Sequence, residues 1–363
     1  MLSIPNLVTY YDIIRLPKNV LKEICSNLNL SDNGTSFELA VRIWTAMQDN
    51  PKLQCKALQG HENKILAGKT SISWFEFINS DGIKGLKNIL IKNNKTNPFE
   101  VHTEYSEEDL NNGPILKCAA ETNNKNKYYL RYIYKSGTTA NVSEEGISFR
   151  PATSMATVFI DEEKQIIEIR SNPNDALKIA RHIAGVAKQQ ITLSKKDIVK
   201  PFEYDTAKMA DKLGGQLYQS KAIPELILED LTESQTDAVV NVLAALDRYF
   251  EEEDINVLQA ELQNAKSILG EELLTIPFIS VVLSGMGNIG LKVKRDDLRS
   301  TPLYNLLEPH LQPQGGYIRF DVEEDGIKQT YTIQVGVTTK SVFFSSPSTT
   351  EKVIEYVRER III

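Results

Sequence analysis

The feature that most constrains this chain is a repeated switch of hydrophobic period. Apolar residues recur at three- and four-residue steps near the start and give way to alternating β-branched and aromatic residues from Lys64 to about Arg170. Helical steps then return, and alternation resumes beyond Pro277. A period near 3.6 lays one stripe along a helix, and a period of two fills one face of a strand. The expected class is therefore α+β: a small N-terminal helical module, an antiparallel sheet-rich body with packed helices, and a C-terminal sheet plus helix. The texture changes divide the chain into 1–60, 61–200, 201–275 and 276–363, the third being an acidic helical segment. At 363 residues, several domains that each close their own core are expected.

Within these parts, Leu16, Leu21, Ile24, Cys25 and Leu28 predict one helix face, broken at Ser31-Asp-Asn-Gly34. Thr35-Ser-Phe-Glu38 fits a capping box, and its helix runs to about Gln48. Thr70 to Phe77, Tyr128 to Tyr134 and Ala156 to Ile160 read as strands, with Asn93 to Pro98 and Asn111 to Pro114 as loops. Asp175 to Gln189 reads as a helix, as does the stretch from Thr232 to about Leu269 with a break near Asp254. Strands are expected at 278–283, 289–293, 317–322, 329–335 and 341–344, and Ser348-Thr-Thr-Glu351 caps a final helix. Two segments echo each other: Ile166 to Ile169 before Ser171-Asn-Pro173 and a helix, and Val342 to Phe344 before Ser345-Ser-Pro347 and a helix. Either two related hairpin-plus-helix layers or a commonly reused connection gives this pattern.

No apolar run approaches the ~18 to 20 residues that a membrane span needs, so no membrane partner is expected. The opening residues lack the charged and apolar regions of a secretory signal, and a cytoplasmic location is expected. Cys25, Cys55 and Cys118, an odd number at wide spacing, fit reduced thiols. The net charge of −7 is uneven: from Glu225 to Glu272 thirteen acidic residues face only Arg248 and Lys266, which leaves the remainder at +4. A neutral to basic surface outside that block would accept a phosphate backbone. The block itself reads either as a solvated helix face or as a docking site for a basic partner.

Residues 16–43 run Leu-Pro-Lys-Asn-Val-Leu-Lys-Glu-Ile-Cys-Ser-Asn-Leu-Asn-Leu-Ser-Asp-Asn-Gly-Thr-Ser-Phe-Glu-Leu-Ala-Val-Arg-Ile. This stretch resembles the SAP family of helix-extended-helix DNA-binding motifs, with Leu21, Leu28 and Leu30 before the turn, Gly34 in it, and Leu39 and Ile43 after it. The resemblance covers under a tenth of the chain and implies two helices that pack by these positions. It also implies that the start of the second helix meets DNA through Thr35 and Ser36, with Lys18, Lys22 and Arg42 as phosphate partners. Free amides and the positive dipole end at a helix start suit an anion. Family members commonly carry a Lys after the turn glycine, where this chain has Ser36 and Phe37 with Asp32 and Glu38 nearby. Binding is therefore expected to be weak and salt-dependent. A purely structural or protein-docking helical pair is the other reading of these residues.

Other chemistry finds little support. Gly285-Met-Gly287-Asn-Ile-Gly290 has dinucleotide-fingerprint spacing, but the alternating residues after it predict a strand where that motif opens a helix. Gly68-Lys69-Thr70 lacks the first glycine of a phosphate-binding loop, since position 63 is Asn. His61, His102, His182 and His310 stand singly, so no metal and no cofactor is expected. Asp161 with Glu168-Ile-Arg170 approaches a metal-dependent nuclease pattern, but Arg replaces the Lys and does not readily take a proton near neutral pH. The plainer reading is an exposed strand edge with Ile167 and Ile169 inside. Tyr128, Tyr132 and Tyr134 share one face of their strand and Tyr129 and Arg131 the other, as either a base-stacking platform or a half-buried strand.

The expected function is a non-enzymatic DNA-associated or assembly protein, tethered by its N-terminal module and able to join a multi-protein complex. The alternatives are an adapter that docks partner proteins through the acidic segment without touching DNA, and a metal-dependent nuclease with an incomplete motif.

Overall fold

The computed structural model describes the chain outside residues 1–4, 49, 78–82, 144–145, 188–192, 225–231, 253–254, 270–288, 293–296, 301–310 and 325. The expected strand at 278–283, residues 285–288 of the glycine motif and His310 lie outside the described residues. The fold is α+β. It divides into two compact units: residues 1–203, 212–214 and 320–363, and residues 204–211 and 215–319. The N-terminal helices share the first unit's core, and the C-terminal segment is split between both units.

The first unit opens with five helices: α1 (Tyr10–Ile14), α2 (Lys18–Asn27), α3 (Ser36–Met47), α4 (Pro51–Leu58) and α5 (Glu62–Leu66). β1 (Thr70–Phe77) and α6 (Leu86–Asn93) follow, then β2 (Ile115–Glu121), β3 (Lys127–Ser143), β4 (Gly146–Asp161), β5 (Ile166–Arg170), α7 (Pro173–Val186) and β6 (Leu193–Lys195). The sheet runs β2-β3-β4-β5-β1, with each strand antiparallel to its neighbours. β6 pairs with the far end of β1. Alternation along β3 sends Tyr128, Leu130, Tyr132 and Tyr134 to the face covered by α6 and α7. Tyr129, with Phe159, faces the N-terminal helices. All four tyrosines are buried, so these rings serve the two cores and are closed to base stacking.

In the second unit, α8 (Thr206–Lys212, whose last residue belongs to the first unit) precedes β7 (Gln216–Pro224). α9 (Glu233–Glu252) and α10 (Ile255–Leu269) form the acidic block, packed through Ala238, Val242, Leu262 and Ala265. β8 (Ile289–Lys292) and residues 311–319 of β9 (Leu311–Glu324) flank β7. Gly290 thus stands in a strand, where the alternation put it.

β10 (Ile327–Gly336), β11 (Ser341–Phe344) and α11 (Glu351–Ile361) complete the first unit, with β11 on the other side of β1 from β5. The echo noted in the sequence has a geometric counterpart. Asp161 pairs with Ile166 and Gly336 with Ser341, each across a four-residue turn whose last residue is left-handed: Gln165 at φ 58° and Lys340 at φ 46°. α7 lies on one face and α11 on the other, because Arg358 of α11 stacks 4.1 Å over Phe159.

Candidate functional site

At the α2–α3 turn the capping box forms as the residues suggest. The Thr35 amide donates to Glu38 Oε2 at 2.7 Å, and the Glu38 amide donates to Thr35 Oγ1 at 3.3 Å. The consequence is electrostatic. The Thr35 amide and hydroxyl, both donating to Glu38 Oε2, hold the Glu38 carboxyl below its ordinary range, so a carboxylate occupies the seat that an anion would take. Gly34 is left-handed at φ 126°, and a Cβ there would lie 2.7 Å from Glu38 Oε2. Arg42 turns inward and donates to the carbonyls of Ser31 and Asn33, the latter at 3.1 Å. Ser36 is half-buried at the first helical position, while Lys18 and Lys22 remain exposed on α2. The turn brings Thr35, Ser36 and Arg42 together but spends Thr35 and Arg42 on the chain itself.

A second cluster lies where α1 and α5 meet the sheet. Arg131 of β3 is buried at 5% exposure. Its Nη2 donates to Asp12 Oδ1 at 2.6 Å and to the Ile65 carbonyl at 3.3 Å, and its Nη1 donates to Thr157 Oγ1. Arg170 Nη1 donates to the Leu66 carbonyl at 2.5 Å. Two guanidinium groups therefore finish the last turn of α5, where carbonyls lack amide partners and the dipole end is negative. Beside them is a cavity of about 90 Å³, whose walls include Asp12, Arg15, Lys64, Lys69, Thr70 and Arg131. A larger adjoining groove of about 610 Å³ shares Arg15, Lys69 and Thr70 and adds Tyr11, Tyr134 and Phe343. Arg15, Lys64 and Lys69 make no ion pair with a described residue.

Behind this cleft Glu168 is fully buried, which corrects the expectation of an exposed strand edge. Its Oε1 accepts from Arg170 Nε at 2.8 Å and Arg358 Nη2 at 3.3 Å. Its Oε2 accepts from Arg358 Nε at 2.7 Å and Trp74 Nε1 at 3.0 Å. Glu351 bonds the same two arginines, with Arg170 at 2.5 and 2.8 Å and Arg358 at 3.0 Å. Burial pushes the Glu168 carboxyl up, but Arg358 and Arg170 more than cancel this and hold it below the usual carboxylate range. Asp161 accepts from the Glu163 and Lys164 amides and pairs with Lys127 at 3.3 Å. Both carboxylates of the nuclease-like pattern are therefore saturated. Among the described residues no group of three or more His, Cys, Asp or Glu side chains could hold a metal ion, and no helix is long and apolar enough to cross a membrane.

Sequence reasoning missed Arg15 and Lys64, which carry no motif, and dismissed Lys69 with its incomplete phosphate loop. Its Gly-Lys-Thr tripeptide was the one local signal: Lys69 and Thr70 do line the cavity, at the start of a strand. No protein-family model and no curated protein matches the chain.

Proposed function

We propose that this chain is a non-enzymatic, nucleic-acid-associated protein that holds a phosphate backbone against its N-terminal helical layer. Arg15, Lys64 and Lys69 are the main contacts, and the exposed Lys18 and Lys22 of α2, the helix that follows the lining residue Pro17, add further positive charge. The observation that carries this reading is the convergence of three cations without a carboxylate partner among the described residues on one cleft. The SAP-like turn contributes Lys18 and Lys22, while the start of α3 is served by its own Glu38.

About four neutralised phosphates imply a log–log salt slope of about −3 to −4 on duplex DNA, or about a 100-fold loss of affinity between 50 and 200 mM salt. Fluorescence anisotropy with the full chain measures this directly. Arg15→Glu with Lys69→Glu should abolish binding, and Thr35→Ala with Ser36→Ala should leave it within twofold. Salt-independent binding, or binding unaffected by the double charge reversal, refutes the assignment.

The adapter reading draws on a different observation. Val240, Ile255 and Ile268 are exposed on the acidic α9–α10 pair, where the packed side chains among the described residues include Ala238, Val242, Leu262 and Ala265. It becomes the better account if the salt-dependent binding is absent.

A further inference from the structure

The enclosed end of the cleft supports a narrower assignment, which rests on the same cations as the backbone reading. We propose that the cavity among α1, the end of α5 and the start of β1 is a pocket for a phosphomonoester, with the remainder of the ligand in the adjoining groove. The first ground is an unmet donor. Arg131 uses both terminal nitrogens on Asp12, Ile65 and Thr157, yet its buried Nε has no partner among the described residues. Such a donor marks an interior whose polar groups the chain itself does not fully serve, and Arg131 is one of the residues lining the cavity.

The second ground is charge. The carboxylate on this wall, Asp12, is consumed: Oδ1 is held by Arg131, and Oδ2 accepts from the Thr9 amide and hydroxyl at 2.8 Å each. Arg15, Lys64 and Lys69 then remain without an ion-pair partner among the described residues around a space of about 90 Å³. A terminal phosphate carries up to two negative charges and three strong acceptor oxygens, and it enters a small enclosure end-on. A backbone diester carries one charge and a substituent on either side, so it stays outside.

The third ground is the neighbouring space. The groove of about 610 Å³ lies within the usual range for small-ligand sites, and the exposed Tyr11 contributes aromatic wall beside the polar Ser171 and Asn172, with Asp175, paired to Lys178, also on the lining. A nucleoside attached to the phosphate meets there the exposed Tyr11 ring and the exposed Asn172 side-chain amide. Lys69 and Thr70 would meet the phosphate with side chains, since Lys69 precedes and Thr70 opens β1 instead of the helix that follows a phosphate-binding loop.

The test compares one fluorescent single-stranded oligonucleotide with a 5′-phosphate or a 5′-hydroxyl, on the full chain at fixed salt. The phosphorylated form should bind at least about tenfold tighter, and inorganic phosphate should compete for the difference. Arg15→Gln with Lys69→Gln should equalise the two forms with the thermal midpoint retained, whereas Lys18→Gln should weaken both alike. Equal affinity in the unaltered chain, or discrimination that persists in the double variant, overturns the pocket. If both forms bind equally with the expected salt slope, the pocket falls and the backbone reading stands. If neither binds while inorganic phosphate raises the thermal midpoint in a Lys69-dependent way, the backbone reading falls and the pocket stands, for a small phosphorylated ligand.

Discussion

Replacing Glu168 with Gln tests whether the four buried charges behind the cleft act as one unit. Glu168, Arg170, Glu351 and Arg358 sum to zero, and each arginine is bonded to both carboxylates. The substitution keeps the side chain's size but leaves the group at +1 in an interior where Glu168 is 0% exposed. One unit-charge attraction at about 4 Å is worth about 4 kcal/mol at an effective dielectric of 20, and Glu168 makes two. Part of that is returned by relieved desolvation and by lost repulsion from Glu351, so the net cost should be about 3–5 kcal/mol, as for a broken buried pair. Urea unfolding followed by tryptophan fluorescence is the assay, because both tryptophans, Trp44 and Trp74, lie in the first unit and Trp74 Nε1 donates to Glu168. At an m-value of about 2–3 kcal/mol/M the midpoint should fall by about 1–2 M. Adding Arg358→Met restores neutrality and should recover part of the loss, giving a non-additive cycle. Below about pH 4.5 the two proteins should converge: a carboxyl held low when folded adds stability above its unfolded pKa, and that stability is lost as pH falls through the folded value. A cost under about 1 kcal/mol, or a strictly additive cycle, would refute the idea of a coupled cluster.

Two further outcomes follow from local geometry. Thr35→Ala removes the side-chain acceptor at the start of α3 and should cost about 1 kcal/mol, read as a lower urea midpoint with an unchanged m-value. His182, half-buried with its ring edge-on to Tyr132 at 5.6 Å, is held below its ordinary pKa by burial. Its neutral form therefore favours the folded chain above about pH 6.5, and that contribution is lost as pH falls through the lower folded value. The thermal midpoint should drop between pH 7.5 and 5.5, and by less in His182→Phe; an equal drop in both proteins would assign the dependence elsewhere.

Most elements were legible because hydrophobic period, caps and turn residues are local. β1 spans the expected Thr70 to Phe77, α3 starts after the Thr35 cap, and the expected helical stretch from Thr232 holds α9 and α10, with the expected break near Asp254 lying outside the described residues. α4, α5 and α6 escaped, being eight residues or fewer and too short to establish a period. In the last helix the cap is Thr350, whose Oγ1 accepts from the Val353 amide at 3.4 Å. Glu351 is thereby freed from a capping role to bond Arg170 and Arg358.

The sequence by itself determined the α+β class, the order of the elements and the capping box at Thr35, because each depends on residues within a few positions of one another. Only the tertiary structure decided what covers each polar face. Glu168-Ile-Arg170 alternates as a solvated strand does, and nothing nearby reveals that Glu351 and Arg358, more than 180 residues on, replace the water. The same holds for the cleft: Arg15, Lys64 and Lys69 acquire a shared meaning when α1 and α5 pack on the sheet. Charge acts through space, and separation along the chain does not encode it.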